Sequence, residues 1–136
     1  MNDSKTITGR IESGIQKGAF FTQLDWVQQQ CHKKLGFKPY AGTLNLKIAE
    51  NAVPMIKELL QTSGIELVSP DARYCSGHVY PVSVMGVSGA ILAPAEEVRA
   101  HGSNIIEIIA PISLKEALDV KDGDEIMLTF QKKSSG

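Results

Sequence analysis

The chain has 136 residues, which is the size of one domain and is enough to form an apolar core without disulfides or metals. Its formal net charge is -1, so it lacks the basic excess of proteins that bind nucleic acid or anionic membranes. No apolar run approaches the length of a membrane span, and the first residues lack the apolar segment of a secretory signal. Cys31 and Cys75 are far apart and form no CxxC pattern, which argues against a disulfide framework or a zinc site. We therefore expect a cytoplasmic protein whose main partners are neither nucleic acid nor membranes.

The N-terminal part predicts two strands joined by a loop that contains glycine. Residues 6–13 alternate and are rich in β-branched side chains, and residues 19–24 are predicted to be a second strand. Between them, Gly14 and Gly18 enclose a basic residue, and such a loop can turn its backbone N–H groups toward a phosphate. Most loops of this spacing between strands are hairpin turns, so both interpretations remain open.

A short amphipathic helix is predicted next. Asp25 is a good N-cap, and Val27, Cys31 and Leu35 recur at four-residue spacing. Gly36 then ends the helix, because glycine takes the left-handed conformation past the last turn without steric penalty.

The following turn and strand carry the first candidate site. Pro39 and Gly42 predict a compact turn, after which apolar and polar residues alternate. A half-buried strand would place Thr43 and Asn45 together on its polar face. A hydroxyl and an amide oxygen at this spacing suit Mg²⁺, which takes its other ligands from water and phosphates. The alternative is a strand start whose Thr and Asn only satisfy the turn.

The middle of the chain predicts a helix, a short strand and a hairpin. Asn51 can cap the helix, with Pro54 tolerated in its first turn. Residues 65–68 are predicted to be a short strand, and residues 77–94 a hairpin whose turn lies at residues 86–88.

One acidic residue interrupts the apolar run at residues 104–111, which predicts a buried strand. Burying Glu107 is costly unless it is paired or hydrogen-bonded, so it should face a cavity or a polar partner. The other interpretation is an exposed position on an alternating strand.

Residues 118–130 predict a turn and a closing strand. Asp122, Gly123 and Asp124 lack the ligand series of an EF-hand, so we expect a turn rather than a calcium site. Counted together, about seven short strands with helices only in the connections favour a compact barrel over a layered α/β sheet.

Residues 39–48 read PYAGTLNLKI and resemble the P-Y-x-G-T-L-N-x-K-[ILV] signature of the archaeal-type, CTP-dependent riboflavin kinases. The resemblance extends from Gly9 to Phe130. It implies a mainly β fold, the family's six-stranded cradle-loop β-barrel with short peripheral helices. It also implies phosphoryl transfer from CTP to the 5′-hydroxyl of riboflavin, giving FMN and CDP, with Mg²⁺ on Thr43 and Asn45.

We expect this barrel to form one domain over residues 1–136, with no helix-turn-helix domain before it. The core is expected over residues 6–131, and residues 132–136 are expected to be a polar tail.

The resemblance also implies a nucleotide site. The family's glycine-rich loop, roughly S-G-L-G-E-G-x-[FY], holds the CTP phosphates, and here Gln16 and Lys17 stand where the family usually has Gly and Glu. A later segment, often x-L-R-E in the family, contacts the nucleotide, and Lys115 keeps the charge of its Arg without the bidentate fork. The implied nucleotide-binding residues are Gly14, Ile15, Gln16, Lys17, Gly18, Ala19, Ile112, Ser113, Leu114 and Lys115.

Two further segments imply the flavin site. Residues 107–111 are similar to the family's E-I-I-A-P, whose Glu lies at the flavin. By resemblance Glu107 is a catalytic residue that contacts riboflavin and could orient or deprotonate the ribityl 5′-hydroxyl. The family's upstream T-x-H pattern corresponds here to Arg99 and His101, with Arg99 in place of the Thr.

Three functions remain open from the sequence. Phosphoryl transfer from CTP to riboflavin by a monomer is the expected one, since it needs positioning and charge neutralisation more than covalent chemistry. A non-catalytic flavin- or nucleotide-binding module on the same barrel is the rival, because Gln16, Lys17 and Arg99 depart from the family pattern. Residues 118–124 also resemble the closing turn of swapped-hairpin DNA-binding regulators, but the missing basic patch counts against that class.

Overall fold

The computed structural model describes residues 3–12, 17–62, 64–70, 77–94 and 104–132. These residues form seven strands, four α-helices and a 3₁₀ turn. The strands are β1 (Asp3–Glu12), β2 (Leu44–Ile48), β3 (Ile65–Leu67), β4 (Gly77–Val84), β5 (Val87–Pro94), β6 (Ile105–Ile109) and β7 (Glu125–Lys132). The helices are α1 (Lys17–Thr22), α2 (Asp25–Leu35), α3 (Val53–Thr62) and α4 (Leu114–Leu118), and the 3₁₀ turn Glu50–Ala52 leads into α3.

Six antiparallel strands close into a barrel in the order β4, β5, β6, β2, β1, β7. The ring closes where β7 returns to the end of β4, with Ser83 opposite Thr129 and Val84 opposite Leu128. β3 lies outside this ring and pairs with the first residues of β4. The six-stranded barrel is therefore confirmed, and the seventh strand is an addition to one edge of β4.

Apolar side chains pack on both sides of the barrel wall. The inner cluster fills the barrel and takes its residues from all six strands of the ring, together with α3 and α4. A smaller outer cluster lies between α2 and the outer face of β3 to β6, and it consists of Val27, Cys31, Leu67, Val79, Ala90, Leu92 and Ile109. The sequence of β5 is consequently apolar on both faces and does not alternate, because helix α2 covers the face that would otherwise meet water.

Helix α2 spans the predicted residues and also protects the free edge of β3. It ends at Gly36, which has φ 88°, as predicted for a left-handed cap. The Gln30 side chain donates to the Val68 carbonyl at 2.7 Å and accepts from the Val68 N–H at 2.8 Å. Lys34 Nζ donates to the Glu66 carbonyl at 2.7 Å. Side chains of one helix thus satisfy backbone groups that an edge strand leaves unpaired.

The segment predicted as a second strand at residues 19–24 is helical instead, since α1 covers Lys17–Thr22 and a turn follows it. Phe21 of α1 and Leu24 of the turn that follows both pack against the outer cluster. Phe21 also meets Trp26 edge to face, with ring centroids 5.4 Å apart. Tertiary packing of these aromatic residues therefore overrides the strand propensity of the segment.

Three smaller predictions also differ from the structure. Asp25 is the first residue of α2 rather than its cap, and it sits in the first turn, where the helix dipole favours an acid. Asn51 lies in the 3₁₀ turn instead of capping α3. The β4–β5 hairpin turns at Met85 and Gly86, both with positive φ, which is the two-residue geometry that suits the twist of the strands.

Burial sets the chemistry of one thiol and one phenol. Cys31 is fully buried in the outer cluster, and desolvation raises the pKa of its thiol to about 11. The thiol is therefore protonated at neutral pH and packs as an apolar group. Burial likewise raises the pKa of Tyr80, whose hydroxyl donates to the Leu60 carbonyl at 2.8 Å.

None of the helices in the described residues is long and apolar enough to cross a membrane.

Gln28 ties two segments to α2, so its loss should loosen the turn before β2. Its side-chain amide donates to the carbonyls of Thr22 and Pro39. We expect Gln28→Ala to lower the free energy of unfolding in urea by about 1–3 kcal/mol, because part-buried acceptors lose their donor. Gln29→Ala removes an exposed glutamine from the same helix and is the matched control, with an expected change within about 0.5 kcal/mol. Equal stability of the two variants would show that these bonds contribute nothing.

Candidate active site

Three residues that the sequence predicts separately come together on the outer face of the barrel. Thr43 immediately precedes β2, and Asn45 lies two residues further along that strand. Glu107 of β6 is directly opposite Asn45 in the strand register. The Thr43 hydroxyl donates a hydrogen bond to Glu107 Oε1. The candidate metal ligands and the candidate catalytic acid therefore form one group, which we call the oxygen cluster (Thr43, Asn45 and Glu107).

The oxygen cluster is more buried than the alternation of β2 predicts. Thr43 and Asn45 do share one face of the strand, but only 5% and 8% of their surfaces are exposed. Glu107 is half-buried and bonded to Thr43, which confirms a polar partner rather than an exposed position. Because the Thr43 proton points to the carboxylate, the hydroxyl oxygen keeps its lone pairs for another ligand.

Asn45 makes no side-chain hydrogen bond to any part of the chain that the structure describes. Only 8% of the surface of Asn45 is exposed, but the described residues contain no buried side-chain nitrogen or oxygen atom that lacks a partner, so the carboxamide atoms remain accessible from the solvent side. The Asn45 amide oxygen is therefore a group that a ligand can satisfy. The chemistry of this donor set, which is a hydroxyl, an amide oxygen and a carboxylate, fits Mg²⁺.

A cavity of about 210 Å³ adjoins the oxygen cluster at Thr43. Its two walls are the turn before β2 and the segment after β6 that the sequence predicts to bind nucleotide. The lining residues are Tyr40, Ala41, Gly42, Thr43, Leu44, Ile108, Ala110, Ile112, Ser113, Leu114 and Lys115. The structure thus brings all four candidates from residues 112–115 to the same cavity as the candidate metal ligand Thr43.

Backbone hydrogen bonds hold the turn against β6. The Tyr40 N–H donates to the Ala110 carbonyl at 2.7 Å, and the Gly42 N–H donates to the Tyr40 carbonyl at 2.8 Å. The compact turn predicted from Pro39 and Gly42 is therefore confirmed. It places Thr43 at the junction of the cavity and the oxygen cluster.

Helix α4 forms the other wall and was not predicted from the sequence. Ser113 is its N-cap, with Oγ accepting from the Glu116 N–H at 3.4 Å. The Ser-x-x-Glu spacing of a capping box was the signal that could have found this helix. Leu114 is buried in the inner cluster, whereas the Ile112 side chain is exposed at the cavity rim.

Lys115, the cation expected at this cavity, already forms an ion pair with Asp122. Lys115 Nζ lies 2.7 Å from Asp122 Oδ1, and the two side chains are 41% and 47% exposed. An ion pair this exposed contributes little to stability, so the ammonium group can exchange its partner at low cost. Asp122 and Gly123 form the predicted turn before β7, and Gly123 has φ 94°.

The structure does not describe the side chains of the remaining predicted site residues. Gly14, Ile15, Gln16, Arg99 and His101 lie outside the described residues. Lys17, Gly18 and Ala19 belong to helix α1 rather than to a loop, and their side chains are also outside the description. Within the described residues, no three His, Cys, Asp or Glu side chains come together as a metal cluster.

Comparison with known proteins points to one family. Residues 11–130 match the family model CTP-dep_RFKase, described as "Domain of unknown function DUF120". The riboflavin kinase of Methanocella arvoryzae is 37% identical over 123 residues, covering 90% of this chain and 56% of that protein. The riboflavin kinase of Pyrobaculum aerophilum is 36% identical over 121 residues, covering 87% of this chain and 57% of that protein. The chain therefore spans somewhat more than half the length of these curated relatives, and it belongs to the archaeal-type, CTP-dependent riboflavin kinase family.

Proposed function

We propose that this chain transfers a phosphoryl group from CTP to the 5′-hydroxyl of riboflavin, giving FMN and CDP. The observation that carries the proposal is the hydrogen bond from Thr43 to Glu107 beside Asn45, at the edge of the cavity. This bond places the oxygen atoms of Thr43 and Asn45, which can bind a metal, next to the Glu107 carboxylate, which can bind the hydroxyl that accepts the phosphoryl group. The name of the relatives supports riboflavin as the acceptor, and the family supports CTP as the donor.

The nucleotide is proposed to bind at the cavity between the turn and residues 112–115. Its volume of about 210 Å³ is smaller than a typical small-molecule pocket of roughly 300–1,000 Å³, so it would hold only one part of CTP. Lys115 would leave Asp122 and supply a cation near the phosphates. On the family resemblance, Gly14, Ile15, Gln16, Lys17, Gly18 and Ala19 would complete the phosphate contacts.

Mg²⁺ is proposed to bind Thr43 and Asn45. The carboxamide of Asn45 has no hydrogen bond in the described structure and remains accessible, which supports a ligand at this position. The ion, when bound, would neutralise charge that develops on the transferring phosphoryl group. The bond to Glu107 fixes the Thr43 hydroxyl so that its lone pairs point away from the carboxylate.

Glu107 is proposed to act on the acceptor. A carboxylate offers about four acceptor positions, so it can bind the ribityl 5′-hydroxyl in addition to Thr43. It would orient that hydroxyl toward the phosphoryl group and take its proton during transfer. Arg99 and His101 are proposed riboflavin contacts on the family resemblance alone.

We place these roles in one domain over residues 1–136, with the core at residues 6–131 and the tail at residues 132–136. The proposed setting is a cytoplasmic monomer that binds neither nucleic acid nor membrane. The net charge of -1 supports this, because proteins that bind nucleic acid or anionic membranes usually carry a basic excess.

The experiment that tests the proposal removes the metal ligands one at a time. Thr43→Val and Asn45→Leu roughly keep shape while removing one oxygen each. We expect FMN formation to fall on the order of 100-fold or more in each variant, with smaller losses in riboflavin affinity, because the metal acts mainly during phosphoryl transfer. Chromatography of FMN measures turnover, and quenching of riboflavin fluorescence measures affinity. Thr8→Val, at an exposed position on β1, should keep the parent rate. Parent rates in both site variants would exclude these residues as the metal site.

A second variant separates the proton transfer from binding. Glu107→Gln can still hydrogen-bond to Thr43 but cannot accept a proton. We expect kcat to fall by about 10²–10⁴ while the melting temperature and riboflavin affinity stay close to the parent values. Glu66→Gln changes an exposed acid on β3 and serves as the control. A Glu107→Gln protein that is less stable, yet turns over normally per folded molecule, would show that this acid is structural.

A further inference from the structure

Glu12 ends β1 beside the oxygen cluster, and neither the family resemblance nor the proposed reaction uses it. In the strand register, Glu12 lies opposite Asn45, and Asn45 lies opposite Glu107 on its other side. Directly opposite residues of an antiparallel pair point to the same face, with Cβ atoms about 4.5–5.5 Å apart. Two carboxylates therefore flank Asn45 on the outer wall of the barrel.

The carboxylate of Glu12 has no cation paired with it in the described part of the chain. Glu12 is half-buried, and it makes no ion pair or side-chain hydrogen bond among those residues. Arg10 and Lys47 lie one rung further along the same face, where they are exposed and do not reach it within ion-pair distance. A second negative charge thus adjoins the oxygen cluster without compensation from these side chains.

Asn45 gives an independent indication that a ligand belongs between the two acids. Only 8% of the Asn45 residue is exposed, its side chain points to the same face as both carboxylates, and its accessible carboxamide has no hydrogen-bond partner in the described structure. An anion at this position would meet two like charges, and an apolar ligand would leave the amide unsatisfied. A divalent cation satisfies the amide oxygen and offsets both carboxylates at once.

We propose that Glu12 is a further ligand, directly or through one water, of a divalent cation held at Thr43 and Asn45, and that this site binds the cation before any nucleotide arrives. The inference rests on the metal position in the proposed function and adds a carboxylate to it. The Glu12 carboxylate, the Asn45 amide oxygen and the Thr43 hydroxyl form a hard oxygen set that Mg²⁺ and Mn²⁺ prefer, and the nearby charge of Glu107 adds to the attraction. Without the cation, Glu12 repels the phosphates, so nucleotide binding should depend on the metal more steeply than at a neutral site.

The test measures Mn²⁺ binding to the free protein by electron paramagnetic resonance, which detects unbound Mn²⁺. We expect Glu12→Gln to raise the dissociation constant at least tenfold, and Glu12→Asp, which keeps the charge, to recover most of the affinity. Glu125→Gln is the matched control, because Glu125 is an exposed acid on the neighbouring strand β7, opposite Arg10. It should bind Mn²⁺ like the parent protein.

Calorimetry with CDP, with and without Mn²⁺, gives the second readout. The metal should strengthen CDP binding more in the parent protein than in Glu12→Gln.

Parent-like Mn²⁺ affinity in Glu12→Gln, or no Mn²⁺ binding by the parent protein at millimolar concentration, would overturn the inference. If either result accompanies normal FMN formation, the proposed function still stands. If Mn²⁺ affinity depends on Glu12 but no nucleotide yields FMN, the cation site stands and the proposed function fails.

Discussion

The register of β2 between its two neighbours is the constraint on which the site depends. Asn45 faces Glu12 of β1 on one side and Glu107 of β6 on the other. Because side chains alternate along a strand, a slip of one residue in either pair would send an acid to the opposite face of the wall. The closed ring opposes such a slip, since every other strand pair would have to absorb it. The barrel therefore holds the oxygen cluster in place, and the turn before β2 only has to add the hydroxyl of Thr43.

The outer wall of the barrel changes character along its strands. Under α2 it is apolar and belongs to the outer cluster, whereas at Asn45 and Glu107 it becomes polar but remains largely covered. This partial burial matters for the chemistry, because electrostatic interactions are stronger where water is excluded. Thr43 bonds to Glu107 of another strand, so its hydroxyl does more than satisfy the turn before β2.

Local sequence patterns predict the turn and strand that carry Thr43 and Asn45, whereas they predict the surrounding elements less well. The turn at Pro39 and Gly42, the strand that follows and the end of α2 at Gly36 depend on neighbouring residues, and all three are confirmed. Helix α1 was wrongly predicted as a strand, because its conformation depends on packing against distant strands. The position of Glu12 beside Asn45 could not be predicted, since register is a property of strands that are more than 30 residues apart. The ion pair of Lys115 with Asp122 depends in the same way on how α4 meets the turn before β7.

The measurement that tests the central claim most directly is FMN formation by the parent protein. Riboflavin and Mg²⁺ are incubated with CTP, ATP, GTP or UTP in parallel, and FMN is separated by chromatography. We predict that FMN forms with CTP, in an amount matched by CDP and dependent on Mg²⁺, and that much less FMN forms with the other three nucleotides. Tight binding of riboflavin without FMN from any nucleotide would contradict it, and would identify the barrel as a binding module instead.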